Sequence, residues 1–255
     1  MPVYETESLV LKSYNLAEAD RIVVFFTRDH GMVRGVAKGA KRLKSRFGST
    51  LEPFSTVNLS YFQKEERELV SIQTVELTQS CFADASDPDF LSAFSYMADL
   101  LMAFVPPHDP HETLYRMTKA CLAAASENTG NLDSIKVYFE LWLLRLGGYL
   151  PDWSECDGCK RKLTLNDTAR LQSSFHLRCK NCDKSNSGDL IKPEHRGLFH
   201  SVQKLSPAEF INYARDTRTS VNEVSNALKR IISQVIGREV QSEKARFATQ
   251  TASKV

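Results

Sequence analysis

The apolar residues of this chain change their spacing once, near residue 87, and that change limits the fold more than any other feature. Up to about residue 78, five short runs rich in Val, Ile, Phe, Tyr and Thr follow one another: SLVLKSY, RIVVFFT, GMVRGVA, STVNLSYF and ELVSIQTVEL. In the fourth, Val57, Leu59 and Tyr61 alternate with Asn58 and Ser60, the period of a strand with one buried face. Five such strands, with a longer connection after the third, predict a small barrel of the OB-fold kind, and an SH3-like barrel fits the strand count almost as well. From Asp87 the period is helical. Asp87 and Pro88 stand at an N-cap and a first helical position, and Phe90, Phe94, Met97, Leu101 and Phe104 follow on one face. Asp109-Pro110-His111-Glu112 reads as a capping box for a second helix. A third, over about 132–146, carries Ile135, Phe139, Trp142, Leu143 and Leu146 and stops at Gly147-Gly148. Capping boxes at Ser206…Glu209 and Ser220…Glu223 open helices over about 207–216 and 221–237. The aromatic and Met stripes are assigned to core packing and to no cofactor. The chain is therefore expected to be α+β: a five-stranded barrel over residues 1–80, a helical domain over 81–245, and a polar tail over 246–255 expected to be disordered.

The helical region is interrupted by CDGCKRKLTLNDTARLQSSFHLRCKNC, a Cys-x2-Cys-x19-Cys-x2-Cys pattern formed by Cys156, Cys159, Cys179 and Cys182. That spacing predicts a tetrahedral four-thiolate zinc site. Each CxxC turn presents two thiolates, Gly158 relaxes the first turn, and the residues between are expected to form a β-hairpin that returns the second pair. Four thiolates leave no coordination position for water, so the expected role is one structural zinc per chain, stapling a finger over about 153–188 into the helical domain. Redox CxxC chemistry would need each motif to open a helix after a strand, and neither does. His176 lies nearby, but four cysteines already complete the shell. Cys81 and Cys121 stand alone and are read as small buried apolar residues.

Net charge is only +2, yet its distribution is uneven: residues 1–80 hold 11 basic and 10 acidic side chains, 81–155 hold 4 and 11, and 156–255 hold 18 and 10. Local field rather than net charge steers polyanions. The stretch GMVRGVAKGAKRLKSRFGS, residues 31–49, carries Arg34, Lys38, Lys41, Arg42, Lys44 and Arg46 and no acid. No neighbour in that loop neutralises these six charges, and Gly31, Gly35, Gly39 and Gly48 permit close approach of a phosphate backbone. Single-strand binders pair such a basic groove with stacking aromatics, for which Phe47, Tyr61 and Phe62 are candidates, each equally suited to the core.

Neither GxxxxGK[ST] nor GxGxxG occurs, so no nucleotide cofactor is expected. Glu65-Glu66, His108 and His111 sit in polar or Pro-rich turns without a nucleophile pattern, and no enzymatic activity is expected. No apolar run reaches 18 residues and the N-terminus lacks a signal-like segment, which makes a cytoplasmic protein without membrane contact the expectation.

In order along the chain, the barrel, the segment GVAKGAKRLKSRFGSTLEPFSTVNLSYF, the helical body and the CxxC…CxxC insertion resemble the bacterial RecO family of DNA repair proteins. AKGAKRLKSRFGSTLEPF, residues 37–54, is similar to the family's basic stretch almost position for position, and the opening, with Tyr14 and Glu18-Ala-Asp-Arg21, is similar to the family's start. The residues after Phe247 fall outside the resemblance. It implies a recombination mediator without turnover, nucleoid-associated, that binds single- and double-stranded DNA, anneals complementary strands and works with RecR. With RecR it would help load RecA onto DNA coated by single-strand-binding protein, whose acidic, apolar C-terminal tail the helical part would recognise. Carried over by position, the DNA role falls on Arg34, Lys38, Lys41, Arg42, Lys44 and Arg46, and the metal role on the four paired cysteines. An OB barrel with a basic loop would serve equally well in a zinc-containing RNA-binding protein of the translation machinery, and a finger used only for protein contacts would suit a structural adaptor.

Overall fold

A computed structural model describes residues 3–63, 68–81 and 84–238, and divides after Leu122 into two compact units. The expected tail over 246–255 and the Glu65-Glu66 turn lie outside the described residues.

The first unit opens with five strands: β1 (Val3–Leu16), β2 (Asp20–Thr27), β3 (Gly31–Ala37), β4 (Thr56–Phe62) and β5 (Val70–Gln79). They close into a barrel in the order β1-β2-β3-β5-β4, with β3 and β5 parallel and the other pairs antiparallel. That order, with its one parallel seam, is the OB arrangement and excludes the SH3-like alternative. β1 makes closure possible. Its first half pairs with β4 from Val3 to Leu9, its second half with β2 from Ser8 to Leu16, and the register shifts between Val10 and Lys12. A bulge there bends the strand around the corner. It also reverses the faces: Val10 pairs with Phe25 inside the barrel, whereas Lys12 and Tyr14 pair with Val24 and Ile22 on the outside.

The interior is filled by Val10, Val23, Phe25, Val33, Val57, Leu59, Tyr61, Val70 and Ile72, and by Phe47 and Leu51 from the connection between β3 and β4. Residues 38–55 form successive turns rather than a helix, so these two side chains plug the barrel end. α1 (Pro88–Phe104) follows, its Asp87 side chain accepting from Asp89 N at 2.9 Å as expected of the cap. It lies on the barrel wall through Phe94 against Phe54, with centroids 5.6 Å apart, and through Asp99, which pairs with Lys12 at 2.6 Å. α2 (Glu112–Glu127) contributes Tyr115, edge-on to Phe26. The expected Asp109 capping box does not form. The first helical hydrogen bond is Tyr115 N to His111 O, because Pro107 bridges to β3 and Asp109 backbone lies where a Cβ on Gly31 would stand, 2.1 Å from Asp109 O. That approach and a φ of +64° explain Gly31.

The second unit is built on α3 (Leu132–Leu146), which packs against α5 (Pro207–Asp216) and α6 (Val221–Ile236). Tyr138 and Trp142 donate to Leu205 O and Val202 O, and buried Glu140 accepts from Ser225. Leu146, expected in the core stripe, is exposed at the last turn. α5 carries the expected reciprocal cap between Ser206 and Glu209. α6 does not: Glu223 is drawn instead to Lys192, at 2.9 Å, and His195, at 3.4 Å. His195 belongs to α4 (Pro193–Ser201), a helix absent from the sequence reading although Pro193 and Glu194 mark its start. Cys81 and Cys121 are buried as expected, and desolvation raises both thiols. No described helix is long and apolar enough to cross a membrane.

Candidate nucleic-acid interface and metal centre

The connection after β3 is held from beneath and presents its charges outward. Gly39 N donates to Asp20 Oδ1 at 2.7 Å and Lys41 N to Ala19 O at 2.9 Å, so the loop is tied to the β1–β2 turn. Phe47 and Leu51 anchor its far half in the core. Arg34, Lys38, Lys41, Arg42, Lys44 and Arg46 are all exposed, and none forms an ion pair among the described residues. Arg46 is partly pinned. Its Nη2 donates to Ile72 O at 3.3 Å and its guanidinium lies 4.8 Å from the Phe47 ring centroid. Lys41 Nζ donates to Ala17 O at 3.5 Å, and Asp20 is engaged by the Gly39 amide.

Two expected features are absorbed by the fold. Phe47 and Tyr61 are core residues and cannot stack on a base, while Phe62 is half-buried. Gly31 and Gly35 serve internal packing, since a Cβ on Gly35 would stand 2.7 Å from Ile72 Cγ1, which leaves Gly39 and Gly48 on the open loop. Among the described residues, an exposed aromatic on this side of the barrel is Tyr14, which the sequence reading did not place at the interface. The family resemblance includes Tyr14 without giving it a role, and its outward position depends on a bulge that cannot be read from alternation.

In the second unit the Sγ atoms of Cys156, Cys159, Cys179 and Cys182 lie within 4.8 Å of one another. A tetrahedron of Zn–S bonds near 2.3 Å requires sulfurs about 3.8 Å apart, and Cys159 and Cys179 Sγ are 3.9 Å apart. The expected hairpin is present as β6 (Ala169–Leu171) and β7 (Leu177–Cys179), with β8 (Asp189–Ile191) added on the far edge of β6. Each CxxC closes its own turn, Lys160 N on Cys156 O at 2.7 Å and Cys182 N on Cys179 O at 3.0 Å. Asp157 locks the first turn to β7 by donating its N to Leu177 O and accepting from Leu177 N. Gly158 sits tightly against the second pair: a Cβ would meet Cys182 Cβ at 3.0 Å and Sγ at 3.1 Å. His176 faces Asp157 at 3.8 Å, outside the sulfur cluster.

The electrostatics of the cluster fit a cation. Burial alone would raise the Cys179 thiol, but the Cys182 amide and the Arg161 guanidinium outweigh it and bring it down to about 6. Burial likewise opposes ionisation of Cys156, and amide donors from Cys179, Cys159 and Gly158 overcome it. Cys182, hydrogen-bonded to Cys159 and Cys179, is pushed the other way. Amides and an arginine are thus arranged to favour thiolates at Cys156 and Cys179, the form in which cysteine binds a divalent ion. Below the cluster, buried Arg196 donates to Leu163, Thr164 and Asp167 carbonyls and ties the finger to α4.

Barrel, loop and sulfur cluster together define a class: an OB-barrel protein whose second, helical unit carries a four-cysteine cluster with the geometry to hold a metal ion. Comparison with known sequences narrows this. Residues 1–81 match the family described as "Recombination protein O N terminal" and residues 85–244 match "Recombination protein O C terminal", so the chain belongs to the RecO family. It is 33% identical over 159 residues to the DNA repair protein RecO of Koribacter versatilis, covering 62% of this chain and 64% of that protein. With the DNA repair protein RecO of Geobacter metallireducens it shares 31% over 194 residues, 76% of this chain and 78% of the relative. With that of Thermodesulfovibrio yellowstonii it shares 27% over 239 residues, 92% and 94%. The match spans less than two thirds of the Koribacter protein and nearly all of the Thermodesulfovibrio one.

Proposed function

We propose that the protein is a DNA-repair recombination mediator that binds single- and double-stranded DNA through the barrel and its basic loop, anneals complementary strands, and does so without catalytic turnover. The observation that carries this reading is the loop itself: six exposed cations without an ion pair among the described residues, mounted on a rigid OB wall. A polymer of phosphates is the partner that such a surface suits, since each contact releases a condensed counterion. Membership of the RecO family supports DNA as that polymer. In the same reading residues 1–80 are the nucleic-acid-binding domain, residues 81–245 the helical domain with its finger at about 153–188, and one zinc held by the four cysteines is structural. Included in the same proposal are action with RecR, loading of RecA, recognition of the single-strand-binding protein's tail and a cytoplasmic, nucleoid-associated location, with membership of the RecO family as their support.

Nothing on this surface offers a recognition helix with base-reading side chains, so affinity is expected to depend on salt more than on base identity. Fluorescence anisotropy with labelled single-stranded DNA and RNA across a salt series tests the reading. Tight, steeply salt-dependent binding to DNA with strand annealing in the absence of nucleotide supports it. Preference for folded RNA would favour the translation-machinery alternative, and no binding of either at low salt would refute a nucleic-acid role.

A further inference from the structure

The outer surface of β1, β2 and β3 is covered unevenly. Leu9, Phe26 and Met32 form one cross-strand row and are buried, Phe26 beneath Tyr115 of α2. The next outward row, Lys12, Val24 and Arg34, is half covered, with Lys12 drawn aside to Asp99 of α1. The last, Tyr14, Ile22 and Val36, is open: Tyr14 is 49% exposed, and Ile22 and Val36 are half-buried. Strands lie about 4.8 Å apart, so this apolar strip is roughly 10 Å long. Tyr14 has no ring or hydrogen-bond partner among the described residues. Arg34 flanks the strip on one side, two positions from Val36 on the same face, and Lys38 and the loop flank it on the other. The Gly39 and Lys41 amide bonds to Asp20 and Ala19 hold that loop against the turn that follows Tyr14.

Resting on the nucleic-acid reading above, we infer that Tyr14 is a base-stacking platform and that Ile22 and Val36 extend it, so that a single strand crosses β1, β2 and β3 with bases on this strip and phosphates towards Arg34, Lys38 and the loop. An apolar strip bordered by unpaired cations complements a polyanion whose other face is aromatic. A purely acidic partner would leave the ring unused, and a duplex would keep its bases from it. The ring supplies a sequence-tolerant, salt-independent contribution beside the salt-dependent phosphate contacts. Loss of one such stacking contact weakens binding about tenfold.

The test compares Tyr14→Ala, Tyr14→Phe and the unaltered protein on oligo-dT and on an abasic strand of equal length, by anisotropy over a salt series. Stacking requires Tyr14→Ala to weaken oligo-dT binding about tenfold with an unchanged salt slope, to leave abasic binding unaltered, and Tyr14→Phe to bind as the unaltered protein does. Thermal melting identifies folded variants. Unchanged oligo-dT affinity in folded Tyr14→Ala, equal loss on the abasic strand, or equal loss in Tyr14→Phe would each overturn the platform while leaving phosphate binding by the loop in place. Failure of the unaltered protein to bind either strand would remove the nucleic-acid reading itself and the platform with it.

Discussion

The triple change Lys41→Ala, Arg42→Ala, Lys44→Ala separates a binding loop from a solvated connection. All three side chains are exposed and form no ion pair among the described residues; the one hydrogen bond, Lys41 Nζ to Ala17 O, is long at 3.5 Å. The loop's attachments run through backbone amides of Gly39 and Lys41 and through Phe47 and Leu51, none of which the substitutions remove. Surface changes of this kind each shift stability by no more than about 0.5 kcal/mol, so the melting temperature should move by a few degrees at most. Binding should respond strongly. At a log–log salt slope of about −0.7 per phosphate on single strands, six contacts give roughly −4 and three give roughly −2. Between 50 and 200 mM salt the unaltered protein should therefore lose affinity about 300-fold and the triple variant only about 20-fold. At low salt the variant should already bind at least tenfold more weakly. Anisotropy with labelled single-stranded DNA measures both quantities. A folded triple variant with unchanged affinity and slope would refute the argument and move DNA contact to residues 156–255, which hold 18 basic side chains.

Protein purified without chelator should contain one zinc per chain by elemental analysis, and well under half an equivalent would count against the site. Cys179→Ser should lose the metal and destabilise the second unit, because a structural ion's binding free energy is folding free energy; loss of DNA binding at unchanged stability would instead indicate a direct role for the finger. Glu7 tests the first unit. Partial burial opposes its ionisation, but Lys119 at 2.9 Å and Tyr115 Oη at 3.0 Å outweigh this and depress its folded-state pKa. Its contribution is therefore fully present above the ordinary carboxylate value and is lost as the pH falls through the depressed one. Glu7→Gln should lower stability at neutral pH and flatten the acid limb of the melting profile; an identical acid limb would show that the pair carries no pH-linked stability.

What could be read locally was read from the chain alone. The zinc-type spacing, the Asp87-Pro88 start, the Ser206…Glu209 cap and the limits of α3 and α5 all depend on residues within a turn or two of one another, or, for the cysteines, within one short hairpin. The acid-free run is likewise a property of contiguous sequence, and its six side chains do face outward.

Long-range pairing decided the rest. Ser220 and Glu223 spell a capping box, but α4 brings Lys192 and His195 to Glu223, and an ion pair replaces the cap. Phe47 could have stacked on a base until the barrel end needed filling. Five strands allowed two barrels until β3 met β5 in parallel, with β4 skipped between them. Tyr14 shows the limit most clearly: strict alternation places it on the same face as Val10, inside the barrel. The bulge between Val10 and Lys12 inserts one residue and turns the ring outward, and that bulge exists only because one long strand must pair with two partners to close the ring.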